Sequence, residues 1–296
     1  NLAYLENSRG SIRAAGAYWA SRVEFILGNP SNAIEFLKIS SNYSSTFYGK
    51  LAIKSLGYYH RINFELPNIS ENFISWLSLQ KGGLRALALL QVGEYWHADR
   101  ELRKLYLITP EKFHLELMSF ASKNGMPSIA YRLADIQRVE TGIKWYGALY
   151  PDLIFKNEND IKDKALVMSI IRQESRFDQR GKSPARAQGL MQILPSTAAF
   201  IMKNRDYRGK LRHDLLIPEK NIVIGEKYIQ HLLKEPLIDS DIIKLLAAYN
   251  GGPGNLNKWL KNVNFNNDPL LLIETIPSRE TRNYIKEVLK NYYVYN

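Results

Sequence analysis

The 296-residue sequence contains no cysteine. That absence excludes disulfides, thiolate nucleophiles and thiolate-held metals, and is compatible with an oxidising compartment without requiring one. Histidine is sparse: His60, His97, His114, His213 and His231 stand apart, with no pair at the HExxH spacing of a helix-borne zinc site. No metal and no cofactor are expected. Long apolar runs are also missing. The most apolar stretch, LRALALLQV from Leu84 to Val92, falls well short of the roughly 18 residues of a membrane span, so no integral membrane segment is expected. The chain starts at Asn1 without an initiator Met or a secretory pattern, so a targeting segment is expected to have been removed. Alternating strand patterns are few.

What is present favours helix and a sizeable core. Hydrophobic residues make up 45% of the chain, enough for one large or two medium domains. Forty Lys and Arg against 29 Asp and Glu give a net charge of +11, which suits a polyanionic partner. The densest basic segments, near Lys203 and Glu101, are short and mixed in sign, as on a solvated face, and no nucleic-acid motif accompanies them. No nucleic-acid partner is assigned.

The first half carries a weak repeat: glycine, four residues, alanine, three residues, apolar. Its copies are Gly28/Ala33/Leu37, Gly93/Ala98/Leu102 and Gly125/Ala130/Ala134. Glycine ends one helix, a short turn follows, and the small alanine lets the next helix pack closely. A degenerate copy is expected near Gly57, giving a curved array of about four α-hairpins. The pattern breaks around Tyr150 and Pro151, followed by a polar run from Lys156 to Lys164. The expected domains are therefore 1–150, an α-superhelical helical-repeat domain, and 151–296, a compact helical domain. In the latter, helices are predicted near 160–175, 195–203, 218–234, 240–250, 254–262 and 279–294, with Pro195 and Pro218 in first turns and Gly251 ending a helix.

Three blocks resist explanation by packing alone. In VMSIIRQESRFD, steps of four and three from Val167 through Ile171 place Glu174, and then Asp178, on an apolar stripe. An unpaired buried carboxylate is costly, so Glu174 must find a partner, face a cleft or stay protonated near neutral pH. In SPARAQGLMQILP, Ser183 to Pro195, Gly189 permits a close backbone approach. In AAYNGGPG, Ala247 to Gly254, Tyr249 shares a face with Ile242, Leu245 and Leu246, so its hydroxyl needs a polar partner, for which Glu174 is the candidate.

These blocks, together with IETIPSRETRNYIKEVL, resemble the four signature blocks of the soluble lytic murein transglycosylase family in order and interval. The resemblance covers about residues 160–296; YWASRVEFILGNPSNAIEFL and TFYGKLA resemble the family's superhelical region more loosely. It implies an all-α fold: an N-terminal curved array of α-hairpin repeats, then a compact lysozyme-like helical catalytic domain. The implied activity is lytic transglycosylase cleavage of the β-1,4 bond between N-acetylmuramic acid and N-acetylglucosamine of peptidoglycan. The implied product is a 1,6-anhydro end, with Glu174 as acid and then base. The implied substrate-binding residues are Ser183, Gly189, Met191, Gln192, Tyr249, Asn250, Glu280 and Tyr284. Each has a plainer reading: Ser183 a turn residue, Met191 core, Glu280 an ion-paired surface group. Departures from the family pattern are Arg186 for the usual glycine, Leu194 for methionine, Gly251 for alanine and Ser278 for an aromatic.

The implied partners are peptidoglycan glycan strands, with cell-wall enzymes a further expectation through the helical domain. The implied location is the periplasm of a Gram-negative bacterium. Free carboxylates on the peptide stems of the polymer would answer the chain's basic charge. Two other readings stand beside this one: a lysozyme-type hydrolase, which needs a second carboxylate, and a cell-wall binding scaffold without turnover.

Overall fold

The computed structural model describes residues 10–58, 61–153 and 161–296. Among these residues the regular structure is helical, as expected, with only two isolated β-bridges, Lys182 to Gln188 and Gln188 to Ile193. In the first half, α1 (Gly10–Ile26), α2 (Pro30–Ser41) and α3 (Phe47–Ser55) pack on one another. Then come α4 (Glu71–Leu79), α5 (Lys81–Gln91), α6 (Tyr95–Tyr106), α7 (His114–Lys123), α8 (Pro127–Thr141) and the short α9 (Tyr146–Leu149).

The glycine and alanine spacing has a physical basis at three of its four positions. Gly28, Gly93 and Gly125 take the left-handed φ values of 78°, 76° and 70°, and a new helix begins two residues after each. Ala33, Ala98 and Ala130 are fully buried, where the paired helices α1 and α2, α5 and α6, and α7 and α8 touch. Near Gly57 the expected copy fails. Gly57 has the left-handed φ, 71°, after α3, but residues 61–70 are non-helical and no helix resumes before Glu71.

The second half contains α10 (Lys164–Glu174), α11 (Pro195–Ile201), α12 (Pro218–Leu233), α13 (Ile242–Gly251), α14 (Pro253–Asn262), α15 (Pro269–Thr275) and α16 (Arg279–Tyr295). Side chains fix where these helices start. The Asp163 carboxylate accepts from Leu166 N at 2.9 Å, Asp241 from Ile243 N and Lys244 N at 2.8 and 3.0 Å, and Ser278 Oγ from Thr281 N at 3.2 Å. Such caps satisfy amides that a helix leaves open and typically contribute about 1 kcal/mol each. Pro195 and Pro218 do occupy first turns. The chain turns at Gly252, with φ 84°, rather than at Gly251. Gly251 is needed for another reason: a Cβ there would lie 2.5 Å from the Trp259 ring, so alanine would force the indole aside. The seven-residue α15 and the 3-10 turns Arg205–Arg208 and Arg212–Leu216 were not anticipated.

Two apolar cores result. One gathers α4 to α9; the other surrounds α10 and takes in Ala14, Phe47 and Tyr48 from α1 and α3. α1 and α3 thus side with the second half of the chain, so the cores do not divide at residue 150. Much of the expected boundary run, residues 156–160, lies outside the described residues. α16 joins the cores, with Ile285 and Val288 in one and Val294 in the other.

α10 is not the amphipathic helix its spacing implied. Leu166, Val167, Met168, Ser169, Ile170 and Ile171 are all buried, so the helix is enclosed on every side. Asp178 leaves the inferred stripe, because α10 ends at Glu174; its carboxylate instead accepts from Trp96 Nε1 of α6 at 3.4 Å. Arg172, in the last turn of α10, is a strut between the cores. Its guanidinium donates to Leu149 O at 2.8 Å and Asn291 Oδ1 at 2.6 Å, and lies 4.1 Å from the Tyr150 ring centroid.

Candidate active site

Glu174 is the last residue of a buried helix, and the chain leaves it through a strained turn. Arg176 and Phe177 have φ values of 50° and 66°, a conformation that L-residues rarely adopt in succession. Such backbone costs on the order of 1–3 kcal/mol per residue and is held only by its surroundings. Here Phe177 is buried, with its ring 6.1 Å from that of Tyr131 in α8.

The loop that follows is pinned from beneath. Buried Asn221 of α12 accepts from Met191 N at 2.8 Å and donates to Gln188 O and Leu215 O at 2.9 and 2.8 Å. Gln192, at φ 48°, donates Nε2 to Gly181 O and Gly189 O at 3.1 and 2.8 Å, which orients its amide. Ser183 closes a turn: its Oγ accepts from Ala187 N at 3.0 Å. The same turn explains the family's usual glycine at position 186, since Arg186 has φ 69°.

Two expected contact residues have other work. Gly189 does permit a close approach, but of the protein to itself: a Cβ there would lie 2.1 Å from Leu215 O and 2.4 Å from Asn221 Nδ2. The Met191 side chain does not line a groove; it is fully buried, and its sulfur fills the space left open by Gly225.

A row of tyrosines stands beside the acid. Tyr228 and Tyr249 have ring centroids 5.3 Å apart, and Tyr249 and Tyr284 are stacked at 6.5 Å with an interplanar angle of 8°. Tyr249 does not spend its hydroxyl on Glu174, as its position suggested; it donates to Met191 O at 2.9 Å. Tyr284 takes that place. Its buried hydroxyl neighbours the Glu174 carboxyl, outside the geometry of a well-formed hydrogen bond. Asn250 Oδ1 accepts from Thr281 Oγ1 at 2.8 Å, and Thr281 Oγ1 in turn can accept from the Ser278 hydroxyl, 3.0 Å away. Ser278 thus caps and braces α16 where the family often has an aromatic.

These surroundings set the proton affinity of Glu174. Burial pushes its carboxyl up to about 7; the Tyr284 hydroxyl opposes that shift and the charge of Glu280 adds to it. Among the described residues no Lys, Arg or His forms an ion pair with Glu174. Glu280, an expected site residue, is exposed and acts at Glu174 through its field. A carboxyl so held can donate a proton near neutral pH and take one back.

The structure brings Glu174, Tyr249, Tyr284 and Glu280 into mutual electrostatic range and ties Met191, Gln192, Gly189 and Ser183 into one loop beside them. Sequence reasoning missed Asn221, Arg172 and Thr281. Only the oddity of polar residues within apolar helical patterns marked them.

Residues 153–271 match the family model described as the Transglycosylase SLT domain. The soluble lytic murein transglycosylase of Salmonella typhimurium is 30% identical over 291 residues, covering 92% of this chain and 42% of the relative. That of Escherichia coli K12 is 30% identical over 285 residues, with the same coverage. The crystal structure of the 70 kDa soluble lytic transglycosylase Slt70 from Escherichia coli superimposes with a TM-score of 0.77 at 25% identity. It covers 95% of this chain and 45% of that one. A complex of the 70 kDa enzyme with bulgecin A gives 0.77 at 26% identity. The chain spans less than half the length of these relatives.

Proposed function

Because the chain belongs to the soluble lytic murein transglycosylase family, we propose that it cleaves the glycan of peptidoglycan without water, with Glu174 as acid and then base. The observation that carries this reading is the Glu174 carboxyl itself. It is pushed up to about 7 by burial, beside tyrosines and without a cationic partner among the described residues. A carboxylate meant only for structure would be paired; one meant to donate must keep its proton at the working pH.

In the first step Glu174 gives its proton to the glycosidic oxygen, and the bond from that oxygen to C1 of N-acetylmuramic acid breaks. The sugar's own 2-acetamido oxygen supports the cationic C1. Glu174, now ionised, takes the proton of the C6 hydroxyl as O6 closes on C1. The 1,6-anhydro ether forms, Glu174 regains its proton, and no water is consumed. Tyr284, beside the carboxyl, moderates its pKa, while Tyr249 holds the Met191 backbone in place. Residues 151–296 serve as the catalytic domain and the preceding helices as a platform for glycan or for partner enzymes, in the periplasm where the polymer lies.

The test is mass spectrometry of the products released from purified murein sacculi. Anhydro-ended fragments are expected, and Glu174→Gln should lower turnover by about 10³-fold or more with the helical circular dichroism retained. Reducing ends alone would replace this reading with a hydrolase in which Glu280 serves as second carboxylate. Binding of sacculi without release would replace it with a scaffold.

A further inference from the structure

The turn that leads away from Glu174 is held from outside its own core. Phe177 is fixed by packing among the residues around α10, but Asp178 is half-buried and Arg180 exposed, so the chain beyond Phe177 needs another anchor. That anchor is Trp96 of α6. Its Nε1 donates to Asp178 Oδ1 at 3.4 Å, the Arg180 guanidinium lies 4.2 Å from its ring centroid, and Arg180 N donates to the same Asp178 oxygen at 3.1 Å. Arg100, one turn further along α6, also lies over the indole, 4.8 Å from its centroid. Trp96 belongs to neither apolar core, so packing does not explain a large aromatic at this position.

From Asp178 the hold passes to the loop beside the acid. Gly181 N donates to Asp178 O at 3.0 Å, while Gly181 O accepts from Gly189 N at 3.0 Å and from Gln192 Nε2 at 3.1 Å. Hydrogen-bonded groups therefore connect Trp96, Asp178, Gly181 and the Gln192 amide in sequence. In the other direction the same segment borders the left-handed pair Arg176 and Phe177, a conformation that persists only where its surroundings impose it.

We propose that Trp96 is a positioning residue: from a helix of the first half it sets the place of the Gln192 amide and of the turn after Glu174, through Asp178 and Gly181 rather than by contact with glycan. The proposal rests on the murein reading above, in which Glu174 and Gln192 meet the sugar. Misplacing a reacting group by about 1 Å costs up to about 100-fold in rate, so a restraint this far from the chemistry suffices to govern turnover.

Two measurements on the 296-residue chain test it. With soluble murein strands as substrate, Trp96→Ala is expected to lower kcat about tenfold, with the smaller share of the effect in KM. Trp96→Phe keeps a ring under Arg180 and loses only the donor, so its kcat should fall between. Amide hydrogen exchange then reads the loop without any reaction. The Gly189 amide is expected to exchange about tenfold faster in Trp96→Ala while the amides inside α12 keep their rates; a general loss of stability would speed both alike. Native kcat in Trp96→Ala, native exchange at Gly189, or acceleration shared by α12 would overturn the assignment. Faster exchange at Gly189 alone, in a chain whose parent releases no product from sacculi, would sink the catalytic reading and leave the link from Trp96 to the loop standing.

Discussion

Asp99 in the core of α4 to α9 is a buried carboxyl and Glu174 at the edge of the core around α10 is a half-buried one, and both have pKa values raised first by burial. Their company differs. Asp99 receives Arg103 Nε at 2.5 Å and Ile129 N at 2.8 Å, and Arg103 in turn reaches Ser128 at 2.7 Å. Among the described residues Glu174 has an imperfectly placed tyrosine hydroxyl, the repulsion of Glu280 and no ion pair. One core neutralises its buried acid to hold two helices together. The other leaves its acid dependent on a proton, and that dependence can serve chemistry.

The contrast makes the two sites respond in opposite ways to losing their charge. Asp99→Ala removes the partner of Arg103 and leaves the buried Ile129 amide without an acceptor, so it should destabilise the chain by about 3 kcal/mol. Denaturant unfolding at neutral pH measures this. A loss below about 1 kcal/mol would mean that the Asp99 network is ornamental and the contrast false.

At Glu174 the sign reverses and depends on pH. The carboxyl has a folded pKa near 7 against an ordinary 4.5, so between these values the folded state holds a proton that the unfolded state has lost. Stability therefore falls as pH rises through that window, and the deficit is complete above about 7. Glu174→Gln cannot ionise and should be more stable than the parent by about 3 kcal/mol at pH 8, with the difference vanishing near pH 4. Unfolding midpoints at the two pH values decide it. An equal difference at both would place the cause in packing, not in charge.

How much of this was legible in the sequence follows the range of the interactions. Helix starts at Pro195, Pro218 and near residue 279, and turns at Gly28, Gly93 and Gly125, depend on neighbours within a few residues, and their pattern showed them. Glu174 was legible as a misfit even though the stripe that exposed it was not real, since α10 is buried all round. The roles of Gly189, Met191 and the Tyr249 hydroxyl were not. Gly189 is fixed by Leu215 and Asn221, Met191 by Gly225, and Tyr249 by a carbonyl 58 residues away. Spacing shows that a residue needs a neighbour; only the fold shows which one arrives. The same holds for Arg172, whose partner Asn291 lies 119 residues on.

A third buried charge, at the seam between the cores, extends the comparison to a smaller effect. Lys50 of α3 is only 6% exposed, forms no ion pair among the described residues, and places Nζ 4.6 Å from the Tyr293 ring centroid of α16. Burial, with Lys290 and Lys144 nearby, pushes its pKa down to about 8 from 10.5. Between these values the unfolded chain holds a proton that the folded one has released, so stability rises with pH across that window, and below about 8 the folded state carries a desolvated charge. The tyrosine face offsets part of that cost. Lys50→Met keeps the apolar stem and removes the charge, and should therefore stabilise the chain by about 1 kcal/mol at pH 7, less as pH approaches 10. Denaturant titrations at both pH values check the sign. Destabilisation at pH 7 would show that the contact of Lys50 with Tyr293 outweighs burial, and that the seam holds its charge for cohesion as the Asp99 network does.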